Sequence, residues 1–319
     1  MMTRIYTLLF FAQFLTNAQA QIISIAQPFL NPMSVNPAFT GATNYESRFA
    51  FQYKRWQNVR KDELVSFAFD RRFDLKDGDY WGIGVHIWQG EVDILKQRQF
   101  KTSVAYGKYL GGDGKGEAHY LLAGGEIGRQ QTVLNYNNDP FIAATNLATG
   151  NGSALPVFKI DSLYLATGAT WCGSWKNGSR AHVGVAVHRL FTPFEGYTDK
   201  LSLPLKWRYT FHANYEIPLK KQLRLVPTAM YLRQGTGTEI RGGLAVKFTA
   251  GDTLGLQLGT FIRRNLKTQN SFACVFLQLD WMRYIFNVSF DAGRIPASEG
   301  AVIYRFGEMV DRRFRLPSW

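Results

Sequence analysis

The side chains of this chain that could hold a metal or attack a substrate are spaced for neither task. His86, His119, His182, His188 and His212 fall in separate segments, without the close His or Cys spacing of common metal sites. His182 and His188 share a parity, as do His212 and Glu216, and a polar inward face accounts for them. Cys172 and Cys274 are the only cysteines. A bridge needs Cα atoms within about 7 Å, a proximity that sequence does not show; two buried or lipid-facing thiols are the expected state. Gly111–Gly116 reads GGDGKG, but it lacks the Lys-Ser/Thr ending of a phosphate loop and precedes no helical pattern, so a hairpin turn is expected. Asn137 to Asp139 offers calcium one carboxylate and no EF-hand spacing. The NGS tripeptides at Asn151 and Asn177 suit turns. No nucleophile elbow, catalytic carboxylate pair or Ser-His-Asp set is recognisable. The chain is therefore expected to carry no catalytic residue, no cofactor and no metal.

The elements that must position these residues are strands, because the dominant pattern is alternation with a period of two. Phe49, Phe51 and Tyr53 oppose Arg48, Gln52 and Lys54. Trp81, Ile83, Val85 and Ile87 oppose Gly82, Gly84 and His86. Trp207, Tyr209, Phe211, Ala213, Tyr215 and Ile217 oppose Arg208, Thr210, His212, Asn214 and Glu216. Tyr284, Phe286, Val288 and Phe290 alternate with Asn287, Ser289 and Asp291. Such segments run to about ten residues, the length of a tilted transmembrane strand rather than of a soluble one. The spacing predicts about fourteen strands, near residues 47–55, 64–73, 80–89, 98–109, 117–130, 160–175, 180–190, 206–217, 222–233, 238–250, 252–264, 270–281, 283–293 and 298–307. Trp56, Tyr80, Trp88, Tyr109, Trp207, Tyr231, Trp281 and Tyr284 sit near strand ends, where interfacial girdles would place them. Residues 21–46, rich in Asn and Pro, and residues 131–159 do not alternate and are expected outside the strands.

The compartment follows from the first residues. Arg4, the apolar run Ile5 to Leu15 and Ala18-Gln19-Ala20 form a signal-peptide pattern, with cleavage expected after Ala20. No other stretch is a spanning helix, so a membrane location requires a closed barrel, which pairs every backbone group internally. The expected division is a signal peptide at 1–20, a luminal or periplasmic segment at 21–46, an outer-membrane barrel at 47–307 and a tail at 308–319. The net charge of +13 suits lipopolysaccharide phosphates, acidic glycans or an acidic protein; export argues against nucleic acid. Alternation also predicts that Arg48→Leu and Arg208→Leu insert better than Phe211→Arg, which sets a charge against lipid.

One segment is familiar in order as well as composition. It reads Gln27-Pro28-Phe29-Leu30-Asn31-Pro32-Met33-Ser34-Val35-Asn36-Pro37-Ala38-Phe39-Thr40-Gly41, followed by Arg48 and then Gln52-Tyr53-Lys54-Arg55-Trp56. This resembles the PorP/SprF family of type IX secretion system membrane proteins, whose members open with NP...NPA(aromatic)xG and an Arg-x-x-x-x-Tyr-[Lys/Arg]-x-x-Trp strand. Family members usually have Gln where this chain has Arg55. Val183–Pro193, Leu203–Leu219, Leu225-Val226-Pro227, Tyr231–Gly235, Leu256–Arg264 and Tyr284–Phe306 continue the likeness, which spans residues 22–307. Residues 308–319 depart from it, and leave open whether Phe306 or Trp319 is the terminal aromatic for barrel assembly. The resemblance implies an integral outer-membrane barrel of about fourteen strands, similar in architecture to fatty-acid transport barrels. It implies work with the secretion or gliding machinery of Bacteroidota, or with one large type IX-secreted surface protein. It also marks Asn31, Pro32, Asn36, Pro37, Ala38, Gly41, Arg48, Tyr53 and Trp56 as family-motif residues, structural or partner-binding. The competing expectations are a transporter of small hydrophobic molecules and, with least support, a barrel enzyme.

Overall fold

The computed structural model describes residues 30–57, 62–92, 94–113, 116–135, 157–190, 206–251, 253–267, 271–293 and 296–310. Fourteen antiparallel strands close on themselves. They are Tyr45–Trp56 (β1), Glu63–Asp74 (β2), Tyr80–Val92 (β3), Leu95–Gly111 (β4), Ala118–Leu134 (β5), Phe158–Ser174 (β6) and Arg180–His188 (β7). Arg208–Lys220 (β8), Leu223–Gln234 (β9), Gly237–Ala250 (β10), Leu254–Asn265 (β11), Ser271–Trp281 (β12), Tyr284–Ala292 (β13) and Ala297–Met309 (β14) complete the set. Each strand pairs with its sequence neighbours, and β1 pairs with β14 from Tyr45↔Met309 to Trp56↔Ala297. Closure leaves no unpaired first or last strand, which is what a bilayer demands of a sheet.

Alternation decides the two faces. Phe49, Phe51 and Tyr53 are exposed outward, while Ala50, Gln52 and Lys54 are buried toward the lumen. On β13 Tyr284, Phe286, Val288 and Phe290 face out and Asn287, Ser289 and Asp291 face in. Exposed apolar side chains therefore wrap the outside, and charged groups line the inside. This inverts a soluble protein and fits a barrel whose outer solvent is lipid. Cys172 and Cys274 are both free and buried.

Two expectations need correction. Residues 131–159 are not all loop: β5 continues to Leu134 and β6 begins at Phe158, each strand 17 residues long. There the apolar parity is reversed: Leu134, Phe158 and Ile160 take the inward positions and Lys159 and Asp161 the outward ones, so the outward apolar stripe is broken at these strand ends. Residues 136–156, including Asn137, Asp139 and Asn151, lie outside the described residues, as do 1–29 and 311–319 with the expected cleavage site and Trp319. Second, half of the proposed girdle faces inward. Tyr80 is fully buried against Tyr120 and Arg72. Trp56 shares the inward parity of Gln52 and Lys54, Trp88 donates to the buried Gln99, and Tyr109 packs against the luminal core. Nearness to a strand end does not fix the face; parity does.

The outward aromatics do form a belt, at the end where the shorter connections lie. Trp81 packs on Tyr106 at 4.9 Å between centroids, Trp171 on Trp175 at 5.8 Å, Tyr284 on Tyr304 at 4.9 Å, and Tyr304 on Phe306 at 5.6 Å. His119 belongs here as well, outside the lumen, stacked on Trp171. The connections at this turn end include Leu75 to Asp79 and Trp175 to Ser179; the opposite, loop end carries the longer β5–β6 and β7–β8 connections.

Candidate functional site

Residues 30–44 lie inside the barrel. Two 3₁₀ turns, Pro32–Ser34 and Pro37–Phe39, shape the segment, each opened by a proline whose fixed φ and missing N–H suit the first position. Asn36 caps the second turn: its Oδ1 accepts from the Ala38 N–H at 3.0 Å. That contact orients the amide, so Nδ2 faces the wall and donates to Thr170 Oγ1 at 2.9 Å and to the carbonyls of Ala169 and Val185 at 3.1 Å. His212 Nε2 lies 3.1 Å from the same nitrogen and so acts as an acceptor. One side chain thus ties the segment to β6, β7 and β8.

The remaining motif residues dock elsewhere on the wall. The Gly41 N–H donates to Asp70 Oδ2 at 2.8 Å, and Arg48 holds the same carboxylate with two bonds of 2.9 Å. Gly41 and Arg48, seven positions apart in the motif, therefore meet at Asp70, a residue no sequence pattern singled out. Asn31 Nδ2 donates to Ser66 Oγ at 3.4 Å. Thr40 Oγ1 bonds Ser103 Oγ at 2.8 Å. His188 Nε2 lies 3.1 Å from the Val35 carbonyl, which can only accept, so Nδ1 is left to take the Tyr164 hydroxyl proton at 2.9 Å. Ala38, Phe39 and Ala42 form an apolar core with Tyr80, Ala118, Tyr120, Leu122 and Cys172. Leu30 and Met33 join Ala50, Ala68, Ile285, Ala301 and Ile303 on the other side.

The wall is shaped to receive this backbone. A Cβ on Gly82 would overlap the Thr40 carbonyl oxygen, and one on Gly168 would overlap Asn36 Oδ1. Both glycines sit at inward positions of strands, where absence of a side chain lets a second backbone approach. That was the signal in the sequence: Gly82 and Gly84 occupy the polar parity of β3, yet neither brings a polar side chain.

Of the nine motif residues, Asn31, Pro32, Asn36, Pro37, Ala38 and Gly41 are buried in the segment, and Arg48 is joined to it through Asp70. Tyr53 and Trp56 stand apart. Tyr53 faces outward with its hydroxyl on Glu63 at 3.2 Å, and Trp56 lies in the lumen 5.1 Å from Lys54 Nζ.

Beyond the segment the lumen is lined by ion pairs spanning several strands. Lys54 Nζ lies 2.6 Å from Asp291 and 3.9 Å from Glu299, and Lys101 bonds Glu126 at 3.0 Å. Glu216 is shared by Arg224 at 3.2 Å, Lys247 at 3.6 Å and Arg180 at 3.8 Å. Val226, Ala245, Phe261 and Phe276 make a small apolar patch on β9 to β12. Among the described residues no group of three or more His, Cys, Asp or Glu is placed to hold a metal ion. The arrangement binds a segment of its own chain and balances buried charge.

Solved structures share this architecture at low identity. The CymD monoaromatic hydrocarbon channel matches over 93% of this chain and 97% of its own, with 10% identity and a TM-score of 0.50. The TodX deltaS2S3 mutant monoaromatic hydrocarbon channel matches over 85% and 93%, with 9% identity and a TM-score of 0.50. At such identities the likeness is one of fold. No curated protein matches the chain. The model of one family, Type IX secretion system membrane protein PorP/SprF, matches residues 17–293. A likeness of that extent, over a barrel with the opening motif seated inside it, makes the chain a member of the PorP/SprF family of type IX secretion system membrane proteins.

Proposed function

We propose that this protein is a non-enzymatic outer-membrane barrel of the type IX secretion system. It binds the secretion or gliding machinery, or one large secreted surface protein, and assists export or surface attachment. The observation that carries this reading is the family match over residues 17–293. The lumen supports it: the segment at 30–44 is fastened to strands from β2 to β8, as suits a scaffold more than an open pore. In this reading residues 1–20 are a cleaved signal peptide, the turn end faces the periplasm and the loop end faces outward. Lipopolysaccharide phosphates meet the basic surface.

Comparing surface and secreted proteins of wild-type and deletion cells tests it. Loss of one large surface protein identifies a dedicated anchor, and loss of all type IX cargo places the barrel in the secretion machine. An unchanged profile overturns both. The second reading, passage of small hydrophobic molecules, draws on the luminal patch of Val226, Ala245, Phe261 and Phe276 and on the hydrocarbon channels of like fold. Uptake of such a molecule by the purified barrel in vesicles would favour it.

A further inference from the structure

Charge balance inside the lumen fails at one place. Other luminal ion pairs match cation to carboxylate: Lys101 faces Glu126, Arg241 faces Glu239, and Lys54 with Arg263 faces Asp291 with Glu299. At the turn end Glu216 alone serves three cations, Arg224 at 3.2 Å, Lys247 at 3.6 Å and Arg180 at 3.8 Å. Arg180 and Arg224 stand where β7 and β9 begin, and Glu216 and Lys247 toward the ends of β8 and β10. Arg224 and Lys247 by themselves outnumber the carboxylate, and Arg180 adds to the excess. Residues 1–29, which precede the luminal segment in sequence, contain no Asp or Glu and bring no counter-charge.

Hydrogen-bond donors are left over at the same place. Arg224 engages only Nη1, which donates to Glu216 and, at 2.9 Å, to the Gly178 carbonyl. The Lys247 side chain is 7% exposed, yet its ammonium makes no hydrogen bond among the described residues, since 3.6 Å to Glu216 is too long for one. Lys247 stands in register with Arg224 on one side and Gln257 on the other, and the Gln257 amide likewise has no hydrogen bond among the described residues. Neighbours of this kind hold their Cβ atoms about 5 Å apart, close enough for the three head groups to meet on one small ligand. Val226 and Ala245 of the apolar patch follow on the same face of β9 and β10, so screening of these charges is weak. The side chains of Arg180 and Arg224 remain 33% and 19% exposed, which lets an ion from water reach the group.

We infer that Arg224, Lys247, Arg180 and Gln257 bind a phosphate-type oxyanion, either free or as the terminal phosphoryl group of a soluble ester. A buried cation without a counter-charge is costly, and a bound anion removes that cost. Three cations around one carboxylate suit a doubly charged oxyanion, whereas a single further carboxylate leaves the group positive. The oxyanion's several acceptor oxygens take the arginine forks, the ammonium and the amide together. The cations share the inward parity of Val226 and Ala245, so a lipid headgroup outside the wall does not reach them.

The test titrates the barrel, purified from membranes in an uncharged detergent, with inorganic phosphate, glycerol 3-phosphate and acetate at constant ionic strength, read by calorimetry. Saturable binding of phosphate at one site is the expected result, with acetate at least tenfold weaker. Lys247→Gln should weaken phosphate roughly tenfold or more, as the loss of one charge-assisted hydrogen bond predicts. Lys176→Gln removes an exposed cation at the same end, paired with Asp113, and should leave binding unchanged. Unboiled barrel migrating apart from boiled barrel on a denaturing gel shows that each variant is folded. Where Lys247→Gln does not fold, the unaltered barrel decides: phosphate should raise its urea midpoint above that in chloride of equal ionic strength. Equal binding of glycerol 3-phosphate assigns the site to a phosphoryl group on a larger molecule, and binding of inorganic phosphate alone assigns it to the free ion. No saturable binding, acetate as tight as phosphate, an unchanged affinity in folded Lys247→Gln, or equal urea midpoints overturns the inference.

Discussion

Asn36 concentrates the docking of the luminal segment into one amide. Its replacement by Ala leaves Thr170, His212 and the Ala38 N–H without their partner in a buried site, at a cost of about 1–3 kcal/mol for each group left unsatisfied. Faster hydrogen exchange across residues 30–44 in Asn36→Ala, with the barrel strands still protected, is the expected outcome. Gly82→Val should act in the same direction by overpacking, at about 1–3 kcal/mol, because its side chain enters the space of the Thr40 carbonyl. Arg48 corrects a simpler expectation. Alternation alone makes Arg48→Leu a mild luminal change, but its removal strands the buried Asp70 carboxylate, at about 3–5 kcal/mol. The double variant Arg48→Leu/Asp70→Leu should be less destabilised than Arg48→Leu alone, as read from urea midpoints of the folded band in detergent. Equal midpoints would show that leaving the Asp70 carboxylate without Arg48 carries no net cost beyond the loss of its bond from the Gly41 N–H.

Strands and turns set the next scale. On β8 the outward Phe211 is half exposed and packs against Tyr231 at 6.0 Å, so Phe211→Arg places a charge against lipid. The cost is about 2–4 kcal/mol near the midplane, and insertion into vesicles should fall below that of Arg208→Leu. The β2–β3 turn carries a different sensitivity. Burial disfavours charge on Asp79, but donation from the Tyr106 hydroxyl, Lys108 Nζ at 2.9 Å and the Tyr109 N–H at 2.9 Å outweighs it, holding the carboxyl below its ordinary range. A carboxyl depressed in the folded state stabilises fully above its unfolded value, and that contribution is lost as pH falls through the folded one. Protection of the turn amides, relative to their intrinsic exchange at each pH, should therefore fall in acid below the ordinary carboxylate range, and Asp79→Asn should abolish that acid-dependent step.

At the scale of the molecule, closure couples everything else. Lys54 near one terminus of the barrel reaches Asp291 near the other, 237 positions away, only because β1 and β14 are adjacent. The same closure forms the chamber that residues 30–44 fill. The intact barrel should resist denaturation as a unit, so unboiled protein should migrate apart from boiled protein, and recovery as a soluble periplasmic protein would contradict the architecture.

Strand number, the lipid-facing side chains and the inward polar residues were legible in the sequence, because period-two alternation is a local consequence of the pleat. Even the misassigned aromatics were readable on that rule: Trp56 shares the parity of Lys54, and Tyr80 that of Gly82. The ends of β5 and β6 were not, since there the apolar residues Leu134, Phe158 and Ile160 take the inward parity and the outward apolar stripe is broken. What tertiary structure alone decided was pairing at long range. Asn36 meets His212 across 176 positions, Gly41 and Arg48 converge on Asp70, and β6 outruns β7. Such contacts depend on the ring's closure and register, which no local pattern encodes.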